Sequence, residues 1–303
     1  MELSMDMNTF KLKLQERKEL IDRSLLKYLV KEDTHPAVIH QAMHYAVFNG
    51  GKRLRPMLVL EGAAIAVGNP KIAIKTACGL ELIHCYSLVH DDLPAMDDDD
   101  FRRGKPTCHR VFGEANAILT GDALLTAAFE LITGNADEAG VRPQQVVTVI
   151  GEIAAAAGSQ GMIGGQIMDL AAENESIDLG TLQTLHSLKT GALFATALRA
   201  GALLGDIDAE GLQALTSYAK HFGLAFQITD DLLDIKGDQI LLGKPIGSDA
   251  KNHKTTYPSL LGMEQTEILA RRSVEQCLAS LAGFGSEADF LRQLANFTLE
   301  RQS

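Results

Sequence analysis

Six carboxylates fall within ten positions of one segment, "LVHDDLPAMDDDDFRRGKP", where Asp91, Asp92, Asp97, Asp98, Asp99 and Asp100 are followed at once by Arg102, Arg103 and Lys105. A second acidic group, Asp230, Asp231 and Asp234, closes another apolar stretch in "FQITDDLLDIK". On a helix, Asp230 and Asp234 lie about 40° apart on one face, while Asp231 points elsewhere. Two like charges about 6 Å apart repel by roughly 3 kcal/mol at an effective dielectric near 20, so an apolar helix holding such a pair needs a counter-charge. A hard divalent cation suits the role. Mg²⁺ takes oxygen ligands, and one or two carboxylates plus substrate phosphates typically hold it.

The first group has a different spacing. Asp91 and Asp97 are six residues apart, which on a straight helix leaves them about 120° out of register. Pro94 lies between them, removes a backbone donor and disfavours helix at Leu93. The expectation is a bulge that brings Asp97 back towards Asp91. Taken alone, "DDDD" at 97–100 fits a solvated acidic cap equally well.

Cations accompany the acids. "GGKRLRP" puts Lys52, Arg53 and Arg55 before a helix and after two glycines, a combination that can bring backbone N–H groups and positive charge to an anion. Arg102 and Arg103 flank the first acidic group, Lys189 and Thr190 open "KTGALF", and Lys244 and Lys254 sit in a long polar stretch. Cations beside metal-type carboxylates suit a polyphosphate, bridged by metal on one side and held by Arg or Lys on the other.

The elements that must position these groups are helical. Segments 8–31, 36–48, 56–67, 71–93, 113–133, 143–158, 160–172, 179–204, 209–235, 257–281 and 286–301 repeat apolar residues at three and four positions. Pro56 and Pro143 sit where a first helical turn tolerates proline. Strand signals are weak, with aromatics at 5% and no hairpin dipeptide between alternating runs. Several segments, such as "TACGLELIHCYSLVH", are apolar nearly all round and belong inside a large bundle. The stretch 236–256 is polar and glycine-containing, a length that in a compact domain points to function or disorder. "VHDDLPAMD" and "ITDDLLD" echo each other, each at the tail of an apolar helix.

Composition bounds the rest. The 303 residues are 46% hydrophobic, ample for a large core, and no linker divides them, so one domain over 1–303 is expected. The net charge is −11 at pH 7, a poor match to nucleic acid, whose phosphates need a basic surface. Cys78, Cys85, Cys108 and Cys277 show no paired spacing and read as free thiols of a reducing, cytoplasmic compartment. The charged start "MELSMDMNTFKLKLQERKEL" is unlike a signal peptide. No uncharged apolar run reaches about 18 residues, so no membrane span is expected.

Five blocks carry a resemblance: "GGKRLRP", "LIHCYSLVHDDLPAMDDDDFRRGKPT", "GGQIMDL", "LHSLKTGALF" and "FQITDDLLDIKGD…LGKPIGSD…HKTTYP". Together, in this order over about residues 40–260, they resemble the bacterial short-chain trans-isoprenyl diphosphate synthases, most of all the farnesyl-forming branch. The resemblance implies an all-α bundle of about ten or more helices around a deep central cavity, a homodimer, and Mg²⁺, with three ions when diphosphate is bound. It implies a prenyltransferase that condenses isopentenyl diphosphate with dimethylallyl and geranyl diphosphates.

Roles follow position by position from that resemblance. Asp91, Asp92 and Asp97 match the first metal motif, with Asp91 and Asp97 as its direct ligands. Asp230, Asp231 and Asp234 match the second, with Asp230 foremost. Lys52, Arg55, His84 and Arg103 match the isopentenyl diphosphate head-group site. Arg102, Lys189, Lys244 and Lys254 match contacts to the allylic diphosphate. Thr190 and Gln227 match positions beside the reacting carbons, and Gln166 and Asp169 match supports for Lys189. Tyr86 and Ser87, five and four residues before Asp91, match the cavity floor, and the bulk of Tyr86 implies a stop at fifteen carbons. Taken singly, several have plain structural readings: His84 or Gln227 as core hydrogen-bonders, Asp169 as an internal ion pair, Thr190 as a cap. The alternatives are a geranylgeranyl or geranyl diphosphate synthase, a class I terpene cyclase, an inactive regulatory family subunit, and a non-catalytic helical protein binding Ca²⁺ or a partner. A cyclase has no need of a second diphosphate site such as "GGKRLRP" with His84, and a binding protein leaves Lys189 and Lys244 unexplained.

Overall fold

The computed structural model describes residues 5–173, 175–236 and 254–301. Its helices are α1 (Met7–Tyr28), α2 (Ala37–Val47), α3 (Leu54–Val67), α4 (Ile74–Asp91), α5 (Cys108–Phe112), α6 (Glu114–Thr133), α7 (Pro143–Ala157), α8 (Met162–Ala171), α9 (Leu179–His186), α10 (Ala192–Leu204), α11 (Ala209–Lys236), α12 (Tyr257–Leu261), α13 (Met263–Ser280) and α14 (Asp289–Glu300). Local chemistry sets their ends. The Asp6 carboxylate caps α1 by accepting from the Thr9 amide, and Asp178 does the same for α9 through Thr181. Pro143 opens α7, and Gly68 in the left-handed region closes α3.

The apolar segment before the first acidic group behaves as its all-round hydrophobicity demands. α4 is buried on nearly every face and packs against α6, α3 and α1, while α3 packs on α10 and α11 lies between α10 and α13. The core runs continuously from Phe10 and Ile21 through Leu80, Leu82 and Ile83 to Phe194, Phe222 and Leu291. Stretches Pro70–Asp91, Glu114–Asp137 and Pro143–Ala171 are, by length and composition, apolar enough to cross a bilayer. The first has 72% of its apolar window buried inside the protein, and the other two have 33%.

Three departures from the sequence reading shape the site. The segment expected as one helix over 179–204 is broken at Ser187–Gly191 by a wide π-type turn carrying Lys189 and Thr190. The segment expected over 257–281 is split at Gly262, whose φ of +76° suits glycine. A small antiparallel ribbon, β1 (Phe101–Arg102) with β2 (Lys105–Pro106), follows the first acidic group. Arg103 and Gly104 form its two-residue turn with φ of 53° and 75°, the left-handed pair that a tight hairpin requires. Strands of two residues leave no alternation for a sequence pattern to reveal.

Candidate active site

The chain leaves α4 through an irregular turn. The Leu93 amide reaches the His90 carbonyl at 3.2 Å, the Met96 amide that of Leu93 at 2.8 Å, and the Asp97 amide that of Asp91 at 2.8 Å. The proline bulge therefore exists and folds Asp97 back onto Asp91. Asp91 lines a cavity of about 710 Å³, and Asp230, from the far segment α11, lines the same cavity. Lys189, Thr190, Gln166, Gln227, Arg102, Arg103, Arg55 and His84 share its walls. The apolar part is built by Tyr86, Leu93, Met96, Ile118, Met162, Ile163, Ile167, Leu170 and Phe226.

Of the charges in this space, the Asp91 carboxylate stands out. Burial, with Asp97 beside it, pushes the Asp91 carboxyl up to about 6 despite the opposing pull of Lys189. Such a carboxylate needs a cation. Among the described residues no three His, Cys, Asp or Glu side chains gather closely enough to hold a metal ion by themselves. Asp91, Asp97 and Asp230 fit Mg²⁺ as one or two carboxylates per ion, with substrate phosphate completing the shell.

A second pocket of about 700 Å³ adjoins the cavity and shares Arg55, His84, Arg103 and Phe226 with it, adding Gly50, Gly51, Lys52 and Lys105. Here burial pushes Arg55 down to about 10, and its Nε has no partner. Burial also lowers Arg103, and it lowers Lys52 with further repulsion from Arg301 and Arg103. Burial, reinforced by Arg55, Arg103, Arg102 and Arg53, drives His84 well below its usual range, so its imidazole is neutral. Cations destabilised in concert mark a site built for an anion. The glycines make it possible: Arg103 Nη1 donates to the Gly50 carbonyl, and a Cβ on Gly51 would lie 2.8 Å from that same nitrogen.

Several candidates turn out to have other partners. Asp92 is 3% exposed and accepts from Arg102 Nε at 2.6 Å, so its carboxylate faces Arg102 rather than the large cavity. Arg102 lines that cavity with its charge already engaged by Asp92. Asp231 accepts from the Tyr257 amide at 3.0 Å and from Gln227 Nε2 at 3.2 Å, and Asp234 is 2% exposed. The expected sharing of one face by Asp230 and Asp234 thus resolves into an open carboxylate and a buried one. Of the cations in "GGKRLRP", Arg53 turns inward: it meets Glu81 at 2.6 Å, Asp22 at 2.8 Å and the Val47 carbonyl at 2.7 Å. Its own φ is 56°, a strained conformation for a side-chain-bearing residue.

Lys189 meets Asp169 at 2.6 Å, and Lys254 meets the same carboxylate at 3.3 Å. Thr190 donates to Gln227 Oε1 at 3.2 Å. The amide nitrogen of Gln166 has no partner. Lys244 lies outside the described residues. Tyr86 and Ser87 do line the cavity; the Tyr86 ring stands edge-on to His90, 5.8 Å between centroids, and its hydroxyl has no partner. The residue that sequence reasoning missed is Arg301, beyond α14, whose Nη2 lies 2.7 Å from Asp230 Oδ1. Nothing in its local sequence signals that contact, since it spans 71 positions of chain.

Residues 36–290 match the family model described as polyprenyl synthetase. The chain belongs to the polyprenyl synthetase family. It is 41% identical over 288 residues to the farnesyl diphosphate synthase of Bacillus subtilis (strain 168), covering 95% of this chain and 97% of that one. It is 43% identical over 291 residues to the geranylgeranyl diphosphate synthase of Cyanophora paradoxa, covering 96% of each. Among solved structures, the FPP/GFPP synthase of Zymomonas mobilis superposes with a TM-score of 0.84 at 40% identity, over 96% of this chain and 98% of that one. The helical fold around a cavity, expected from the motif blocks, is thus the family's.

Proposed function

We infer that this protein is a prenyltransferase that condenses isopentenyl diphosphate with dimethylallyl and then geranyl diphosphate to give farnesyl diphosphate. The observation that carries this reading is the convergence of Asp91 and Asp230, from separate segments, on one apolar cavity that adjoins a pocket lined by Lys52, Arg55 and Arg103. Asp91, Asp97 and Asp230 would hold Mg²⁺, which would supply Lewis-acid neutralisation of the allylic diphosphate; three ions match the family resemblance. Lys189, Arg102 and Lys244 stabilise the charge that grows on the departing diphosphate. The apolar wall excludes water from the allylic cation. Lys52, Arg55 and Arg103 hold the second diphosphate, and neutral His84 contributes a hydrogen bond rather than a charge. Thr190 and Gln227, bonded to each other, stand beside the reacting carbons.

Tyr86 at the cavity lining favours a fifteen-carbon product over the geranylgeranyl alternative, which relatives of similar identity keep in view. A homodimer is part of the reading through the family resemblance. A single domain and a cytoplasmic location complete the reading. The test is incubation with Mg²⁺, labelled isopentenyl diphosphate and either dimethylallyl or geranyl diphosphate, followed by measurement of chain length. A fifteen-carbon product is expected from both starters; a twenty-carbon product selects the geranylgeranyl alternative, and no prenyl product overturns the reading.

A further inference from the structure

Arg301 stands beside Asp230 and lines a pocket that it shares with Lys52. Its Nη2 meets Asp230 Oδ1 and the Phe226 carbonyl, each at 2.7 Å, and its guanidinium lies over the Phe226 ring, 4.0 Å from the centroid. The side chain is 6% exposed, and its Nε has no hydrogen-bond partner. On its other side it lines a pocket of about 490 Å³ with Gly51 and Lys52, close enough for its charge to press on Lys52. Phe226 itself lines the large cavity, the head-group pocket and this third space.

We propose that Arg301 is a resident counter-cation that a metal ion must displace from Asp230, and that the displaced guanidinium turns towards Lys52 to complete the isopentenyl diphosphate subsite. With the guanidinium 2.7 Å from Asp230 Oδ1, a divalent ion drawn to the same carboxylate meets a fixed positive charge that repels it. The Phe226 ring gives the guanidinium a perch that does not depend on Asp230, so a short rotation suffices. Loading the metal side thereby prepares the other side for its anion, and Arg301 is a positioning and binding residue rather than a base. The second half of this proposal rests on the prenyltransferase reading; the first half does not.

The test uses the full chain with Arg301→Gln and Arg301→Lys, their folding checked by circular dichroism. Titration with Mn²⁺ and inorganic diphosphate, without any isoprenoid, reads the displacement. Removing the competing charge in Arg301→Gln is expected to tighten Mn²⁺ binding by about tenfold, the scale of one charged hydrogen bond. In steady-state assays the same variant is expected to raise KM for isopentenyl diphosphate several-fold without raising that for geranyl diphosphate. Arg301→Lys, which keeps the charge but cannot reach both Asp230 and the Phe226 carbonyl, is expected to shift both quantities in the same directions by less. Should Arg301→Gln not fold, the Lys variant alone decides the matter. Mn²⁺ binding that is unchanged or weaker overturns the displacement, and an unchanged KM for isopentenyl diphosphate overturns the second role. A wild-type protein that makes no prenyl product would defeat the functional reading while leaving the Mn²⁺ titration decisive.

Discussion

The Asp97 amide donates to the Asp91 carbonyl at 2.8 Å. That single bond replaces the helical register, which would have sent the two carboxylates to different faces, with a turn that groups them. Burial and the neighbouring Asp97 then leave the Asp91 carboxyl up at about 6.

Two consequences of the Asp91 environment are measurable. Its folded value lies above the usual 3.8, so its contribution to metal-free stability is complete below pH 3.8 and is lost as pH rises through about 6. Denaturant unfolding of metal-free protein is expected to show that decline in the wild type and not in Asp91→Asn. Divalent binding, which requires the carboxylate, is expected to strengthen with pH until above about 6 and then level off. Asp91→Ala is expected to lower turnover at least ~100-fold; turnover near wild type would remove Asp91 from the metal site.

Arg53 holds the "GGKRLRP" loop from beneath. It is the buried partner of Glu81, one helical turn before His84 on α4, and it also ties the loop to Asp22 on α1. Arg53→Met leaves the buried Glu81 without its hydrogen-bonded cation and is expected to cost about 3 kcal/mol in urea unfolding. Its KM for isopentenyl diphosphate should rise more than that for geranyl diphosphate. Equal changes in both would show a general loss of structure instead.

Gly165 is a contact point between α8 and the π-type turn. A Cβ there would lie 2.2 Å from the Lys189 amide nitrogen and 2.6 Å from its Cα. Gly165→Ala must therefore shift the Lys189 backbone. A displacement of about 1 Å can cost up to ~100-fold in rate, so kcat should fall by ~10-fold or more while circular dichroism stays native-like. An undiminished kcat would show that Lys189 need not be held so closely.

Tyr86 lines the cavity from α4, and its ring is backed by His90, whose Nε2 lies 3.0 Å from the Ile118 carbonyl. Tyr86→Ala removes the ring while leaving His90 anchored to α6. Chromatography of the products is expected to show chains beyond fifteen carbons. An unchanged length distribution would move the stop elsewhere in the wall.

The amino-acid sequence determined the helical class, because apolar residues repeating every three to four positions bury only as helices, and the all-round apolar α4 had to lie inside. It also determined the acidic groups, the proline bulge and the cationic loop, since each is a matter of residue type over a few positions. The tertiary structure alone decided which charges were already spent. Asp92 and Arg102 satisfy each other, Arg53 serves Glu81 and Asp22, Asp231 holds the start of α12, and Arg301 occupies Asp230. Residue type and short-range spacing cannot distinguish a charge that faces a cavity from one that faces a partner 71 positions away. That choice is made by how the helices pack, where burying a charge without its complement costs more than any local preference can repay.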